Sequence, residues 1–244
     1  MPKQTMLVLL AGGYSTRLGF PKQYLRDKDG YLFEKIVANI PADIITIITN
    51  NQFHIFWFDY IKSKKFGKQY NLFVENHSEP DKAFGPLYYL TTEILSYFHH
   101  HVDNLVISPI DCYFDSFSFV KSLMSTTNGI VVSRCPEAHL RHVGTCIVKG
   151  SSLEAFYEKQ QISKTGFFDR RWVFTGLIKT TMENLMAVSP ISEKTNLGSL
   201  IPIYTSHDKN WEVIKYKGLY RDVGIPATME ELINKGKILS PVSV

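Results

Sequence analysis

Two cations stand close behind a pair of glycines in LAGGYSTRLGFPKQYL, residues 10–25. Gly12 and Gly13 are followed by Arg17 and then by Pro21 and Lys22, and the whole loop follows the apolar run 6–10. Backbone N–H groups of such a loop can cradle phosphate oxygens, with Arg17 forming bidentate contacts and Lys22 acting as a point charge. The spacing is not that of a P-loop, because Gly19 runs into Phe20, Pro21 and Lys22. Nor does Gly12-Gly13-Tyr14-Ser15 give the Gly-x-Gly-x-x-Gly of a dinucleotide fold. A tight turn with solvated cations would use the same glycines, but the short spacing of Arg17 and Pro21-Lys22 favours a phosphate site. Two aspartates add acidic chemistry: Asp111 ends the apolar run 104–110, and Asp222 lies in YRDVGIPATMEELINKG, residues 220–236. An aspartate at a strand end is often only a helix cap, a role that suits Asp115 ahead of FSFVKSLM. Pro226 suits the first turn of a helix and Asp222 a turn before it.

The elements that must position these residues alternate in type. MLVLLA, YLFEKIVANI, IITIIT, QFHIFWFDYIKSK, YNLFVE, GPLYYLTTEILSYF, NLVISPI and FSFVKSLM read as strand and helix in turn. That alternation predicts βαβ units around a largely parallel sheet, with ligands beyond the carboxyl ends of the strands. The glycine loop and Asp111 should therefore reach one crevice. After Ser133 the segments HVGTCIVKG, RRWVFTGLIK and NWEVIKYKGLYRDVG read as extended, with helices between them, and predict a mixed α+β portion on the far side of that crevice. No Gly/Ser linker or repeat divides the chain, so 1–244 is expected to be one domain with two halves, 1–133 and 134–244.

Composition sets outer bounds. Of 244 residues, 44% are hydrophobic and 20% charged, a globular profile without long disordered tracts. Cys112, Cys135 and Cys146 are odd in number and show no CxxC spacing, which argues against a disulfide framework or zinc and suits a cytoplasmic location. No apolar stretch approaches the ~18 residues of a membrane span. The net charge of +4 is scattered apart from Lys62, Lys64, Lys65 and Lys68, which read as a solvated helix end and not as a nucleic-acid surface. The run His99-His100-His101 reads as a polar helix terminus, and residues 52–62 as a buried amphipathic helix. Cys112 lacks a histidine pattern that would make it a nucleophile.

The loop LAGGYSTRLGFPKQYL resembles the signature of the sugar-1-phosphate nucleotidylyltransferases, approximately LAGGxGTRL followed by a PK pair. Gly13-Tyr14-Ser15 stands in place of Gly-x-Gly, and the compact PKQYL is also similar to cytidylyltransferases of the methylerythritol phosphate pathway. NLVISPIDCYFDS resembles the family strand ending in Gly-Asp, with Ile110 in place of the glycine, and YRDVGIP resembles its DIGTP segment. The DIGTP-like segment separates the chain from the methylerythritol phosphate enzymes. The resemblance runs from residue 9 to about residue 236 and implies a Rossmann-like three-layer α/β/α fold with a mainly parallel mixed sheet. It further implies that Leu10, Ala11, Gly12, Gly13, Ser15, Thr16, Arg17, Lys22 and Gly85 hold a nucleoside triphosphate. Asp111 and Asp222 would bind Mg²⁺, and Gly144, Glu158, Lys159 and Gly176 would hold the acceptor, making 1–133 the nucleotide half and 134–244 the sugar-phosphate half.

The implied reaction is attack by a sugar 1-phosphate on the α-phosphorus of the triphosphate, with release of pyrophosphate. A phosphate monoester has a second pKa of about 6, so the acceptor is already largely dianionic and no general base is needed. Two other readings use the same residues: a cytidylyltransferase acting on a non-sugar phosphate or phosphonate such as phosphocholine, or a silent homologue that binds nucleotide sugars. The base, the sugar and any homo-oligomeric state stay open, and neither nucleic acid nor membrane is expected as a partner.

Overall fold

In the computed structural model the described residues are 4–64, 67–76, 85–134, 136, 142–158, 172–189, 191–192, 195–207 and 209–240; Lys65, Cys135 and Lys159 lie outside them. The first half runs β1 (Gln4–Ala11), a short ladder of β2 (Arg26–Asp27) and β3 (Gly30–Tyr31), α1 (Leu32–Asn39), β4 (Ile44–Asn50), α2 (His54–Ser63) and β5 (Gln69–Glu75). Then come α3 (Pro86–Tyr89) and α4 (Leu95–Phe98), joined by a π-helical turn, followed by β6 (Val102–Pro109), β7 (Cys112–Phe114), α5 (Val120–Ser125) and β8 (Gly129–Ser133). The second half holds β9 (Thr145–Lys149), β10 (Ser152–Tyr157), β11 (Trp172–Thr181), α6 (Met182–Ala187), α7 (Leu200–Ser206), β12 (Glu212–Tyr216), β13 (Tyr220–Asp222) and α8 (Pro226–Asn234). No helix among the described residues is long and apolar enough to cross a membrane.

Nine strands form one mixed sheet in the order β5-β4-β1-β6-β11-β8-β12-β10-β9. The first four pair in parallel, as the alternation predicts, whereas β11 runs antiparallel to both β6 and β8. Every residue of β4 is buried, the pattern of a parallel strand covered on both faces. Successive side chains of β1 part to opposite sides: Leu7 and Leu9 join a cluster with Phe33 of α1 and Trp57 of α2, while Met6 and Val8 join one with Leu95 of α4 and Leu200 of α7.

Two details of this topology place the site. The chain moves from β1 outward to β4 and β5, then returns to the other side of β1 as β6, so the strand order reverses between β1 and β6. Open α/β sheets bind ligands at such a switch point, and Leu10 and Pro109 face each other there in register. Beyond the main sheet, β7 pairs antiparallel with β13, matching Cys112 with Asp222. The Val223 N–H also donates to the Asp111 carbonyl at 2.9 Å, which ties the second aspartate to the first.

The turn after β13 is anchored by Arg221, which donates from two guanidinium nitrogens to Glu231 of α8, both at 2.9 Å. These bonds, reinforced by Lys235, hold the Glu231 carboxyl down at about 2. Its folded pKa is lowered, so the pair stabilises the fold fully above the ordinary pKa of 4.5 and progressively less as the pH falls toward 2. Glu231→Gln should therefore be less stable than wild type to urea at neutral pH, with the difference vanishing between pH 4.5 and 2. A difference that persists unchanged at the acid end would show that the ion pair is not its source.

Candidate active site

The chain leaves β1 through the glycine loop. The Gly12 carbonyl accepts a hydrogen bond from Asn50 Nδ2 at the end of β4, 2.9 Å away, while Gly13 is exposed and has nothing within 4 Å of where a Cβ would stand. Ser15 takes the left-handed conformation, φ 57°, and closes the loop on itself. Its carbonyl accepts from Leu18 N–H at 3.0 Å and its hydroxyl oxygen from Lys22 N–H at 3.1 Å. The Ser15 side chain thus fixes where Lys22 begins, and Thr16 and Arg17 remain exposed on the outer curve.

Lys22 Nζ reaches across the switch point to Asp111 Oδ2 at 2.5 Å. Asp222 Oδ1 accepts from Gly224 N–H at 2.8 Å, so the turn role expected of this residue is present as well. A Cβ on Gly224 would stand 2.7 Å from Asp111 Oδ2, 2.9 Å from Asp222 Oδ1 and 2.9 Å from Lys22 Nζ. Three charged groups from three parts of the chain therefore meet where Gly224 has no side chain. Burial alone would lower the Lys22 pKa, but the Asp111 carboxylate, then Asp222, outweigh it and raise the ammonium above its ordinary value. Among the described residues no three His, Cys, Asp or Glu side chains gather as a metal cage. Two hard carboxylate oxygens facing an open glycine loop are the donor set that suits Mg²⁺, which keeps several waters and shares phosphate oxygens where a phosphate is bound.

A cleft of about 290 Å³ opens from this point. Of the residues predicted for the site, Leu10, Arg17, Lys22, Asp111 and Asp222 line it from one side, and Gly144, Glu158 and Gly176 from the other. Ala11, Gly12, Gly13, Ser15 and Thr16 belong to the end of β1 and the loop, off the cleft wall. Gly85, at φ 100°, opens α3 beside Gly12, with Pro86 between them. Lys159 falls outside the described residues.

Asn196 and Gly198 also line the cleft, and sequence reasoning missed both. The Asn196 side chain caps the 3-10 turn Leu197–Ser199 by accepting from Ser199 N–H at 3.1 Å, and the string Asn-Leu-Gly-Ser announces only a turn. Asp115 departs from its expected role as a cap. The helix begins later, at Val120, and Asp115 instead accepts a hydrogen bond from the Tyr216 hydroxyl.

The back of the cleft is a bulge in β11. Gly176 has φ 84°, and a Cβ there would stand 2.8 Å from Pro109 Cγ, so the strand can pass β6 only as glycine. The preceding Thr175 carbonyl accepts from Cys112 Sγ at 3.1 Å and from the Tyr220 hydroxyl at 3.2 Å. Burial above all, with the neighbouring aspartates, pushes the Cys112 thiol well up, and burial likewise raises the Tyr220 phenol. Both stay protonated and act as struts, consistent with Cys112 not being a nucleophile.

No protein-family model matches the sequence, and no curated protein matches it. Solved structures do match in shape. A protein from Bacillus anthracis assigned as a glucose-1-phosphate thymidylyltransferase superposes with a TM-score of 0.77 at 13% identity, covering 98% of this chain and 97% of its own. The chain shares that protein's fold. An inositol-1-phosphate CTP transferase from T. maritima matches at TM-score 0.70 and 15% identity over 100% of this chain and 99% of that one. A nucleoside-diphosphate-sugar pyrophosphorylase from Vibrio cholerae RC9 gives 0.70 at 17% over 94% and 100%.

Gly176→Ala should cost about 1–3 kcal/mol of stability in urea denaturation, since the added Cβ meets both a left-handed backbone and Pro109. A variant as stable as wild type would mean that the bulge can relax.

Proposed function

We propose that this chain is a nucleotidylyltransferase that joins a nucleoside triphosphate to a sugar 1-phosphate, giving a nucleoside diphosphate sugar and pyrophosphate. The observation that carries the proposal is the meeting of Lys22, Asp111 and Asp222 between a glycine loop and the cleft at the switch point. In this reading the sheet with its two apolar clusters is a three-layer α/β/α sandwich, with 1–133 serving the nucleotide and 134–244 the acceptor.

Arg17 and the loop amides bind the triphosphate, and Lys22 draws charge from the α-phosphate as the nucleophile approaches. Asp111 and Asp222 would hold Mg²⁺, which when bound supplies Lewis-acid neutralisation of the phosphate oxygens. Glu158 and Asn196 offer hydrogen-bonding edges to acceptor hydroxyls, and Lys159 is assigned to the acceptor phosphate. The acceptor dianion needs no base, so positioning and charge neutralisation supply the catalysis.

The test is pyrophosphate release with Mg²⁺ across CTP, UTP, dTTP, GTP and ATP against a panel of sugar 1-phosphates and phosphocholine. One productive pair is expected. Asp222→Ala should lower its turnover by about 10²–10³-fold while leaving cooperative unfolding intact. Gly198→Ala places a methyl 2.9 Å from Phe156 Cζ and against Glu158, so it should raise the acceptor KM about tenfold without changing the triphosphate KM. Undiminished turnover in Asp222→Ala would remove that carboxylate from the site. Silence across the panel with folded protein would overturn the transferase reading.

A further inference from the structure

Glu75 ends β5 with none of its surface exposed. Its Oε1 accepts from the Gly85 N–H at 2.9 Å, but its Oε2, equally buried, has no hydrogen-bond partner among the described residues. A buried acceptor left unmatched costs free energy, and such a group in a folded protein calls for an explanation. The direction of Oε2 supplies one: it lies 3.6 Å from the point where a Cβ on Gly12 would stand, with Pro86 at 3.8 Å from the same point. Gly12, having no side chain, therefore lies directly against this oxygen at the root of the glycine loop. Tyr14 stands close enough that, after burial, the Glu75 charge raises its phenol, so the carboxyl faces the loop from below. The position is at the carboxyl edge of the parallel strands, on the far side of the glycine loop from the acidic pair and the acceptor cleft.

We propose that Glu75 reads the base of the bound nucleoside triphosphate and selects one carrying an exocyclic amine (cytosine, adenine or guanine) over uracil or thymine. This rests on the nucleotidyl-transfer reading. The chemistry is that of an acceptor without a donor. A carboxyl oxygen takes a hydrogen bond from an amine, as Glu does from cytosine N4, whereas the carbonyls that flank the single N–H of uracil and thymine turn lone pairs toward it. In the structure Oε2 is covered on all sides, so a base reaches it only when its cover moves. The pair then made is dry and discriminating.

The test measures binding of CTP, GTP, ATP, UTP and dTTP with Mg²⁺ to the full chain by calorimetry. At least one amine-bearing triphosphate should bind about tenfold or more tightly than UTP and dTTP. Glu75→Gln, whose amide offers a donor as well as an acceptor, should bring that preference within about threefold. Gly12→Ala is the second variant. Its Cβ makes only ordinary contacts, so the fold should persist while the preferred triphosphate loses about tenfold in affinity. Equal or tighter binding of UTP or dTTP by wild type overturns the assignment, as does a preference retained in Glu75→Gln or an unaltered affinity in Gly12→Ala. If no triphosphate binds to folded protein, the nucleotide reading itself fails.

Discussion

Two carboxylates brought to one point repel each other, and the fold must offset that repulsion before the site can exist. Lys22 provides the offset. Its ammonium is mostly buried yet held charged, because Asp111 and Asp222 together outweigh the cost of taking it out of water. The surrounding contacts serve this arrangement. Ser15 accepts a left-handed backbone to set the start of Lys22, and β7 pairs with β13 to bring Asp222 alongside. The Arg221–Glu231 pair then pins the following turn to α8. Removing any of these leaves charges near one another without fixed geometry.

The two halves of the chain contribute different things to that point. The first half supplies a parallel core whose strands are buried on both faces, a rigid frame from which a loop can hang without the frame deforming. The second half supplies absence: where it meets the frame, Gly176, Gly198 and Gly224 stand in places a side chain would fill. Cys112 and Tyr220 reach up from below to hold the bulged carbonyl of Thr175, so the gap is kept open by buried hydrogen bonds.

The parallel half was legible in the sequence because each of its elements announces its own period, IITIIT as a buried strand and YLFEKIVANI as an amphipathic helix. Asp111 was legible because it directly follows an apolar run, Lys22 because it stands with Arg17 shortly behind the glycine pair, and Asp222 through the resemblance of YRDVGIP to the DIGTP segment. What the sequence hid is long-range. Nothing local in TNLGSL says that Asn196 and Gly198 will face Glu158. FSFVKSLM alone does not say that the helix starts only at Val120, or that Asp115 will instead find the hydroxyl of Tyr216. The antiparallel insertion of β11 between β6 and β8 was hidden for the same reason. A strand's direction depends on the route of the chain between strands, and the side-chain pattern records only which faces are buried.

The distribution of ionisable groups also bears on how such a site works. Around the acidic pair, Cys112 and Tyr220 are the neighbours that could in principle lose a proton, and burial together with those same carboxylates holds both neutral. Lys22 is driven the other way, toward a permanent charge. A site that had to activate a nucleophile would do the reverse, placing a base near neutrality beside it. Here the protonation states are locked and the charges fixed in position, an arrangement suited to a reactant that arrives already anionic. In the proposed reaction the work left to the protein would be alignment and the neutralisation of charge on phosphorus-bound oxygens, which the preorganised Lys22 cation can perform while the two carboxylates stand ready to hold Mg²⁺, none of them changing state.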